Sequence, residues 1–388
     1  MRAARFALPL LVFGLASCAD LSPGPTDESA DLNRYVAMGT SISMGVASDG
    51  VVASSQRTSW PALLAADVGT EFGVPAIAAP GCGSPLVAPL SNFKRADNSA
   101  IGAPATCAPN ETGFTLPEQN VAISGATAAS ATSAQSTNSN PIFSRVLAKN
   151  LTQLTAMRSM TPTFVSVEFG AVELLPALGG RAGDADSFSS FSSPYSQIIT
   201  SLRQTNAKAL LVLLPTDLKK FPAVRTAAEM VAQRAAFAAR NVSVNVNCNT
   251  STNYVTLTGK IFPVLIAGAA RAAGGLGPAD LSCENVPNTL DGVLTEADFT
   301  TLNALAAQIN GLITARATSA NYATFSLGAL YDTAKDGVPF DLNALMTSAT
   351  PFGPSISLDG VHPSAAGQAI LAAAAKAAII QKYGGITH

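Results

Sequence analysis

The chain has 388 residues, of which 48% are hydrophobic and 12% are charged. This length and composition allow a large buried core and exclude intrinsic disorder as the general state of the chain. The formal net charge of −2 provides no basic surface for phosphate groups, which argues against a nucleic-acid partner.

Residues 1–18 have the pattern of a lipoprotein signal peptide that ends at Cys18. Arg2 and Arg5 make its beginning basic, and residues 6–14 are apolar but too few to cross a bilayer. The letters LASC then close the segment, as in a bacterial lipoprotein signal, in which the cysteine is lipidated and becomes the new N-terminus. Cleavage as a plain secretory signal is the alternative.

Residues 19–33 are polar and contain two prolines, which predicts a flexible tether ahead of a folded body at residues 34–384. A lipid on Cys18 would anchor the protein to a membrane without a spanning helix. We therefore expect a monomeric protein of the bacterial cell envelope, at the outer membrane or the periplasmic face.

Four cysteines follow the signal peptide: Cys82, Cys107, Cys248 and Cys283. An even number in an exported protein favours two disulfides, and three pairings are possible. We favour Cys82–Cys107 and Cys248–Cys283, because each would close one Gly-, Pro- or Asn-rich segment. Zinc binding is the alternative, but no closely spaced pair of cysteines or histidines supports it, and we expect neither metal nor cofactor.

Strand and helix patterns alternate along the folded body. Strand patterns occupy residues 34–38, 74–79, 119–123, 163–169, 207–214 and 322–327. Helix patterns occupy residues 60–72, 142–157, 187–205, 295–317 and 363–381. This alternation predicts a mainly parallel sheet with helices on both faces, a three-layer α/β/α sandwich. Two segments interrupt it, a surface loop at about 81–117 and an insertion or lid at about 218–292.

His362 is the candidate for any chemistry that needs an imidazole, because the other histidine, His388, is the last residue. Asp359 precedes His362 by three residues, and a carboxylate so placed can accept the ring N–H and stabilise the imidazolium. Asp359 could instead only bend the chain before the last helix. The pair otherwise requires a nucleophile.

Ser41 is the candidate nucleophile, because it follows the first predicted strand within the turn Gly39-Thr40-Ser41. Gly125 and the turn at residues 170–173 also follow predicted strands. Ligands of open parallel sheets bind beyond the carboxyl ends of the strands. We therefore expect these elements to meet the Asp359–His362 loop at one edge.

The order of these motifs resembles the four sequence blocks of the SGNH/GDSL hydrolase family, from residue 34 to about residue 384. The resemblance implies that Ser41 is the nucleophile, His362 the general base and Asp359 its orienting partner. It also implies that the backbone N–H groups of Ser41 and Gly125 form the oxyanion hole. The implied activity is hydrolysis of carboxylic esters through an acyl-enzyme.

The third block departs from the family pattern Gly-x-Asn-Asp, because it reads Gly170-Ala171-Val172-Glu173. Val172 cannot donate the hydrogen bond of the family's asparagine, and loss of one such donor typically costs about 10²–10³ in turnover. The first block has Thr40 where the family usually has aspartate.

Three functions are consistent with these residues. The first is a membrane-anchored extracytoplasmic serine esterase that acts on a small-molecule, glycan or lipid ester. The second is a weakened or inactive relative that binds an acylated glycan or lipid without turnover, as Val172 suggests. The third is a purely structural envelope lipoprotein, which only the lipid anchor favours.

Overall fold

The computed structural model describes residues 29–388. The predicted signal peptide, Cys18 and most of the predicted tether lie outside this range. Between residues 29 and 388, no helix has the length and apolar character needed to cross a membrane.

The strands are β1 Ala30–Asp31, β2 Tyr35–Gly39, β3 Phe164–Glu168, β4 Lys208–Leu213, β5 Val224–Thr226, β6 Val242–Val244, β7 Tyr254–Thr256, β8 Ala279–Leu281, β9 Val293–Leu294, β10 Ala323–Ser326 and β11 Ile386–Thr387. The α-helices are α1 Ser41–Met44, α2 Ala53–Arg57, α3 Trp60–Asp67, α4 Ala128–Ser133, α5 Ile142–Val146, α6 Gln153–Ser159, α7 Ala171–Leu174, α8 Phe188–Arg203, α9 Ala227–Ala232, α10 Arg234–Ala238, α11 Phe262–Ala273, α12 Glu296–Ala320, α13 Gly328–Gly337, α14 Leu342–Thr347 and α15 Ala365–Tyr383.

A parallel sheet with the strand order β10-β4-β3-β2 forms the centre of the protein. Every residue of β2 and β3 is buried, as expected for strands covered on both faces. Residues 119–123 lie beside the outer edge of β2, where Ala37 donates to the Gln119 carbonyl and Val121 donates to the Ala37 carbonyl. With that segment included, the order along the sheet is the flavodoxin-like 2-1-3-4-5.

Helices cover the sheet on both sides. α15 packs against β4, β10 and α3, whereas α12 packs against β4, β10 and α8. α4 and α6 continue the α8 layer, and α6 also contacts β2. The predicted three-layer α/β/α sandwich with a parallel sheet is therefore confirmed.

The folded body begins before the predicted boundary at residue 34 and continues past residue 384. β1 pairs in parallel with β11, and Ala30 and Leu32 are fully buried. The prediction of a flexible tether is therefore wrong for residues 30–33, because Ala30 and Leu32 bury apolar side chains among otherwise polar neighbours.

Two further predictions are corrected at the level of single elements. Residues 74–79 form no strand, since Pro75 lacks a backbone donor and only Ile77 makes a bridge, to Asn110. The helix predicted over residues 142–157 is two helices, α5 and α6, and Asn150 between them has a left-handed φ of +65°.

The surface loop 81–117 contains one short 3₁₀ turn, Leu90–Asn92, and is closed by the Cys82–Cys107 disulfide. The insertion 218–292 is more regular than its composition suggested, because it contains β5 to β8 and α9 to α11. The Cys248–Cys283 disulfide closes part of it. Both predicted cysteine pairings are confirmed.

Candidate active site

Ser41 lies in the tight turn between β2 and α1. β2 ends at Gly39, and α1 ends after one turn at Met44, where Gly45 follows with a φ of +87°. A Cβ atom on Gly39 would lie 2.8 Å from the carbonyl oxygen of Glu168, so the close approach of β3 requires glycine there. The turn places Ser41 at the carboxyl end of the sheet.

Ser41, His362 and Asp359 form a continuous chain of hydrogen bonds. His362 Nε2 lies 2.9 Å from Ser41 Oγ, and His362 Nδ1 lies 2.8 Å from Asp359 Oδ2. The His362 side chain is 14% exposed, so one edge of the ring meets solvent. The three predicted side chains thus lie within hydrogen-bonding distance of one another, and their catalytic roles stay a prediction.

Asp359 is buried and its two oxygens accept several hydrogen bonds. Oδ1 accepts from the backbone N–H groups of Val361 and His362, each at 2.8 Å. Oδ2 accepts from the backbone N–H of Asp49 at 2.6 Å as well as from the imidazole. Because Asp359 accepts a hydrogen bond from Nδ1, the ring proton lies on Nδ1, and Nε2 is free to accept from the Ser41 hydroxyl.

The charges of this pair support each other. Burial by itself would lower the pKa of His362, but the Asp359 carboxylate outweighs burial, and the pKa of His362 is raised. Burial by itself would raise the pKa of Asp359, but the charge of His362 and the hydrogen bonds from His362 and Val361 outweigh it, and the pKa of Asp359 is lowered. The pair therefore favours the imidazolium that forms when His362 takes a proton.

Glu168, which was not among the predicted site residues, holds the turn that carries Ser41. Its Oε2 accepts from the backbone N–H groups of Thr40 at 3.0 Å and Ser43 at 3.2 Å, and its Oε1 accepts from the Thr40 hydroxyl at 2.8 Å. Burial raises the pKa of Glu168, and the hydrogen bonds from Thr40 and Ser43 oppose this shift. A charged residue at the end of the apolar strand FVSVE was the available signal.

The predicted oxyanion donors lie at the same edge. Gly125 has a φ of +78°, and no heavy atom lies within 4 Å of the position that a Cβ would take. Within residues 29–388, neither the Ser41 N–H nor the Gly125 N–H donates to a protein group. Both amides are therefore available to an external oxygen, while their role stays a prediction.

The third block provides no side-chain hydrogen-bond donor at position 172. Val172 is half-buried in α7 and has no polar side-chain atom. Glu173 is buried, and its Oε1 accepts from the backbone N–H of Ala128 at 2.8 Å, so it fixes the start of α4. Burial raises the pKa of Glu173 to about 7, and its Oε2 has no partner among residues 29–388. Gly170 has a φ of +116°, which favours glycine.

Asp49 and Arg95 also support the site and were not predicted. Ser48 and Asp49 both have left-handed backbone conformations, in a turn closed by a bridge between Ala47 and Gly50. Arg95 of the surface loop 81–117 pairs with the Asp49 carboxylate at 2.5 Å. The Asp-Gly dipeptide at 49–50 is typical of a turn, but nothing in the sequence relates it to Asp359.

A cavity of about 270 Å³ opens beside Asp49, Arg95 and His362. Its lining includes His362, Asp49, Arg95, Ser124 and both cysteines of the Cys82–Cys107 disulfide. The surface loop 81–117 therefore forms one wall of the active-site cavity. Within the part of the chain that the structure describes, no cluster of His, Cys, Asp and Glu side chains could hold a metal ion.

A parallel α/β sandwich with a serine, a histidine and an aspartate joined at the sheet edge is typical of hydrolases that use a serine nucleophile. The family model of the GDSL-like lipases/acylhydrolases matches residues 35–375, and the chain belongs to this family. This membership identifies the protein as a hydrolase of the lipase/esterase type. A search of curated proteins found no match to the chain.

Lipases and esterases are also among the solved structures that are similar to this chain. A GDSL-like lipase from Parabacteroides merdae ATCC 43184 is 10% identical, with 93% of this chain and 99% of that chain covered and a TM-score of 0.42. Phospholipase A1 from Streptomyces albidoflavus NA297 is 16% identical, with coverage of 91% and 98% and a TM-score of 0.38. An acetyl xylan esterase from Geobacillus stearothermophilus is 9% identical, with coverage of 93% and 98% and a TM-score of 0.39. The family assignment rests on the family model.

Proposed function

We propose that the protein is a serine ester hydrolase that acts outside the cytoplasm while anchored to a membrane by lipid. The observation that carries the catalytic part is the chain of hydrogen bonds from Ser41 Oγ through the His362 ring to Asp359. A serine hydroxyl is a weak nucleophile until a neighbouring base removes its proton. The buried, negatively charged Asp359 supplies the orientation and charge that make His362 such a base.

The reaction proceeds through an acyl-enzyme. Ser41 Oγ attacks the ester carbonyl carbon while its proton passes to His362 Nε2, and the tetrahedral oxyanion is bound by the N–H groups of Ser41 and Gly125. The carbon–oxygen bond to the alcohol then breaks, and the imidazolium gives its proton to the leaving alcohol. A water molecule that gives a proton to His362 attacks the acyl carbon. The bond between that carbon and Ser41 Oγ then breaks, the imidazolium returns its proton to Oγ, and the carboxylic acid leaves.

The proposed location is supported by the sequence and by the disulfides. The lipoprotein pattern that ends at Cys18 lies outside the described residues, and lipidation of Cys18 is part of the proposal. The two disulfides are consistent with an oxidising compartment outside the bacterial cytoplasm. Metabolic labelling with palmitate tests the anchor: we expect a labelled protein in the membrane fraction and loss of the label in Cys18→Ala, whereas label in that variant would contradict the proposal.

A second candidate function is ligand binding without turnover. It is favoured by Val172, which leaves the site without the side-chain donor that the family's third block provides. This candidate predicts that an ester or acylated glycan binds and dissociates unchanged.

A fluorophosphonate probe distinguishes the two functions. We expect covalent labelling of the wild type and loss of both labelling and ester turnover in Ser41→Ala. Ser124→Ala is the matched control, because Ser124 lines the same cavity but does not contact His362 within hydrogen-bonding distance. Binding of an ester without labelling or turnover in the wild type would instead establish the second candidate.

A further inference from the structure

A second cavity, of about 210 Å³, lies next to the active-site cavity. It is formed between the surface loop 81–117 and helix α11 of the insertion 218–292, and its apolar lining is Leu86, Ile101, Phe262, Pro263 and Ile266. Asp49 and Arg95 line both cavities. This ion pair therefore separates the active-site cavity from the apolar cavity.

The apolar cavity lies on the histidine side of the site. The backbone N–H of Asp49 donates to Asp359 Oδ2, the oxygen that also accepts from the His362 ring. Gly125, the predicted oxyanion donor, follows Ser124, which lines the active-site cavity but not the apolar cavity. A group that passes Asp49 into the apolar cavity thus leaves the reaction centre beside the imidazole.

The chemistry of ester cleavage assigns that side to the alcohol. The imidazolium donates its proton to the leaving oxygen, so the alcohol portion of the ester must lie beside His362, while the carbonyl oxygen points to the oxyanion donors. A chain carried by the alcohol therefore lies on the side of Asp49, which lines both cavities.

The walls of the cavity determine what it can bind. The guanidinium of Arg95 is already bonded to the Asp49 carboxylate and to the Ser84 carbonyl at 2.8 Å, so the ion pair offers no unbalanced charge for an ionic ligand. The volume is below the roughly 300 Å³ at which pockets for drug-sized ligands begin. An unbranched alkyl chain fits these apolar walls, whereas a sugar would bury more hydroxyl groups than the Thr258 hydroxyl and the Asp49–Arg95 pair can bond.

We propose that this cavity binds the alkyl chain of the alcohol portion, so that the preferred substrates are esters of short to medium alkyl alcohols. The inference rests on the proposed function and deepens it by naming the substrate class. Burial of each methylene contributes free energy that corresponds to about a fourfold gain in kcat/KM. We expect the wild type to show this gain along methyl, ethyl, propyl and butyl acetate.

Two substitutions that fill the cavity from opposite walls test this assignment. Ile266→Trp on α11 and Ile101→Trp on the surface loop should each reduce the butyl-to-methyl acetate ratio of kcat/KM by at least about tenfold. Ala267→Trp is the control, because Ala267 is exposed on the same helix and does not line the cavity. The control should keep the wild-type ratio, and thermal unfolding of each variant shows whether it is folded.

Three results would overturn the inference. One is a flat series of alkyl acetates in the wild type, and another is an unchanged ratio in both folded tryptophan variants. The third is a higher kcat/KM for methyl butanoate than for methyl acetate in the wild type that both tryptophan variants abolish. This result would assign the cavity to the acyl chain. In contrast, the absence of Ser41-dependent hydrolysis of every ester would overturn the proposed function itself, and the inference with it.

Discussion

Glu168 and Thr40 lie at the ends of neighbouring parallel strands, and the Glu168 carboxylate accepts hydrogen bonds from both the backbone N–H and the hydroxyl of Thr40. The family's first block usually has an aspartate at the position of Thr40. In this chain a buried carboxylate reaches the same turn from β3. Because Ser41 directly follows Thr40 in the chain, Glu168 acts as a positioning residue for Ser41.

We predict that Glu168→Gln lowers kcat by about tenfold to a hundredfold, because a small displacement of a nucleophile has effects of that size. KM should change by less than about twofold, since Glu168 is buried and does not line the active-site cavity. Steady-state kinetics on a short-chain ester measure both quantities.

Ser166→Ala is the matched control for this prediction. Ser166 is buried on the same strand and bonds to the Tyr35 hydroxyl at 2.8 Å, away from the Ser41 turn. It should destabilise the protein without lowering kcat. Equal kcat values in the two variants would show that Glu168 does not position Ser41.

The pH dependence of kcat/KM should follow the charge state of His362. His362 must be neutral to accept the Ser41 proton, and its pKa is raised above the ordinary histidine value of 6.5 despite burial, because of Asp359. Activity should therefore increase with pH through a midpoint above 6.5. Asp359→Asn removes the charge that raises the pKa of His362, whereas burial, which lowers this pKa, remains. The midpoint of the pH profile should therefore move to lower pH, and kcat should fall by about 10³–10⁴.

Asp49→Asn should produce a smaller shift of the pH midpoint than Asp359→Asn. The Asp49 carboxylate also raises the pKa of His362, but less than Asp359 does. Its substitution keeps the backbone N–H that donates to Asp359, so the midpoint should move in the same direction by a smaller amount. A pH–rate midpoint that is the same in all three proteins would contradict the assignment of His362 as the base.

We predict that Val172→Asn raises kcat by up to about a hundredfold, the reverse of the loss seen when an oxyanion donor is removed. Val172→Leu is the control, because it changes the volume at this position without adding a donor. A single-turnover measurement of acylation follows the step that the donor would accelerate. If the two variants acylate at equal rates, position 172 does not face the oxyanion.

The two disulfides should have different effects on activity. Each closes a loop, of 25 and 35 residues in sequence separation, and each is expected to contribute about 3–4 kcal/mol to stability. The Cys82–Cys107 loop carries Arg95, which contacts Asp49 and lines the active-site cavity. The double substitution of Cys82 and Cys107 by Ser should therefore lower kcat/KM by about tenfold at a temperature where the protein is folded.

The double substitution of Cys248 and Cys283 by Ser is the control, since neither cysteine lines the active-site cavity. It should lower the melting temperature to a similar extent and leave kcat/KM close to that of the wild type. A similar loss of kcat/KM in both double variants would indicate that stability, and not the position of Arg95, determines the effect.

Local patterns were sufficient to predict the parallel sheet and most of its helices. The apolar strands at residues 35–39, 164–168 and 208–213 are short and fully or mostly buried. Such strands can be predicted from the sequence because their burial requires a nearly continuous run of apolar residues. The sequence failed where local and tertiary preferences disagree. Residues 30–33 look like a polar tether, yet Ala30 and Leu32 are buried because β11 returns to pair with β1.

The sequence by itself also determined which residues of the site could take part in catalysis, because one internal histidine, one preceding aspartate and one serine after a strand are local features. The tertiary structure alone decided how they are supported. Glu168 under the Ser41 turn, and Arg95 with Asp49 beside Asp359, are separated from their partners by 46 to 310 positions. No local pattern encodes such pairs, because a hydrogen bond depends on the positions of two side chains in space, and the folded sheet sets those positions.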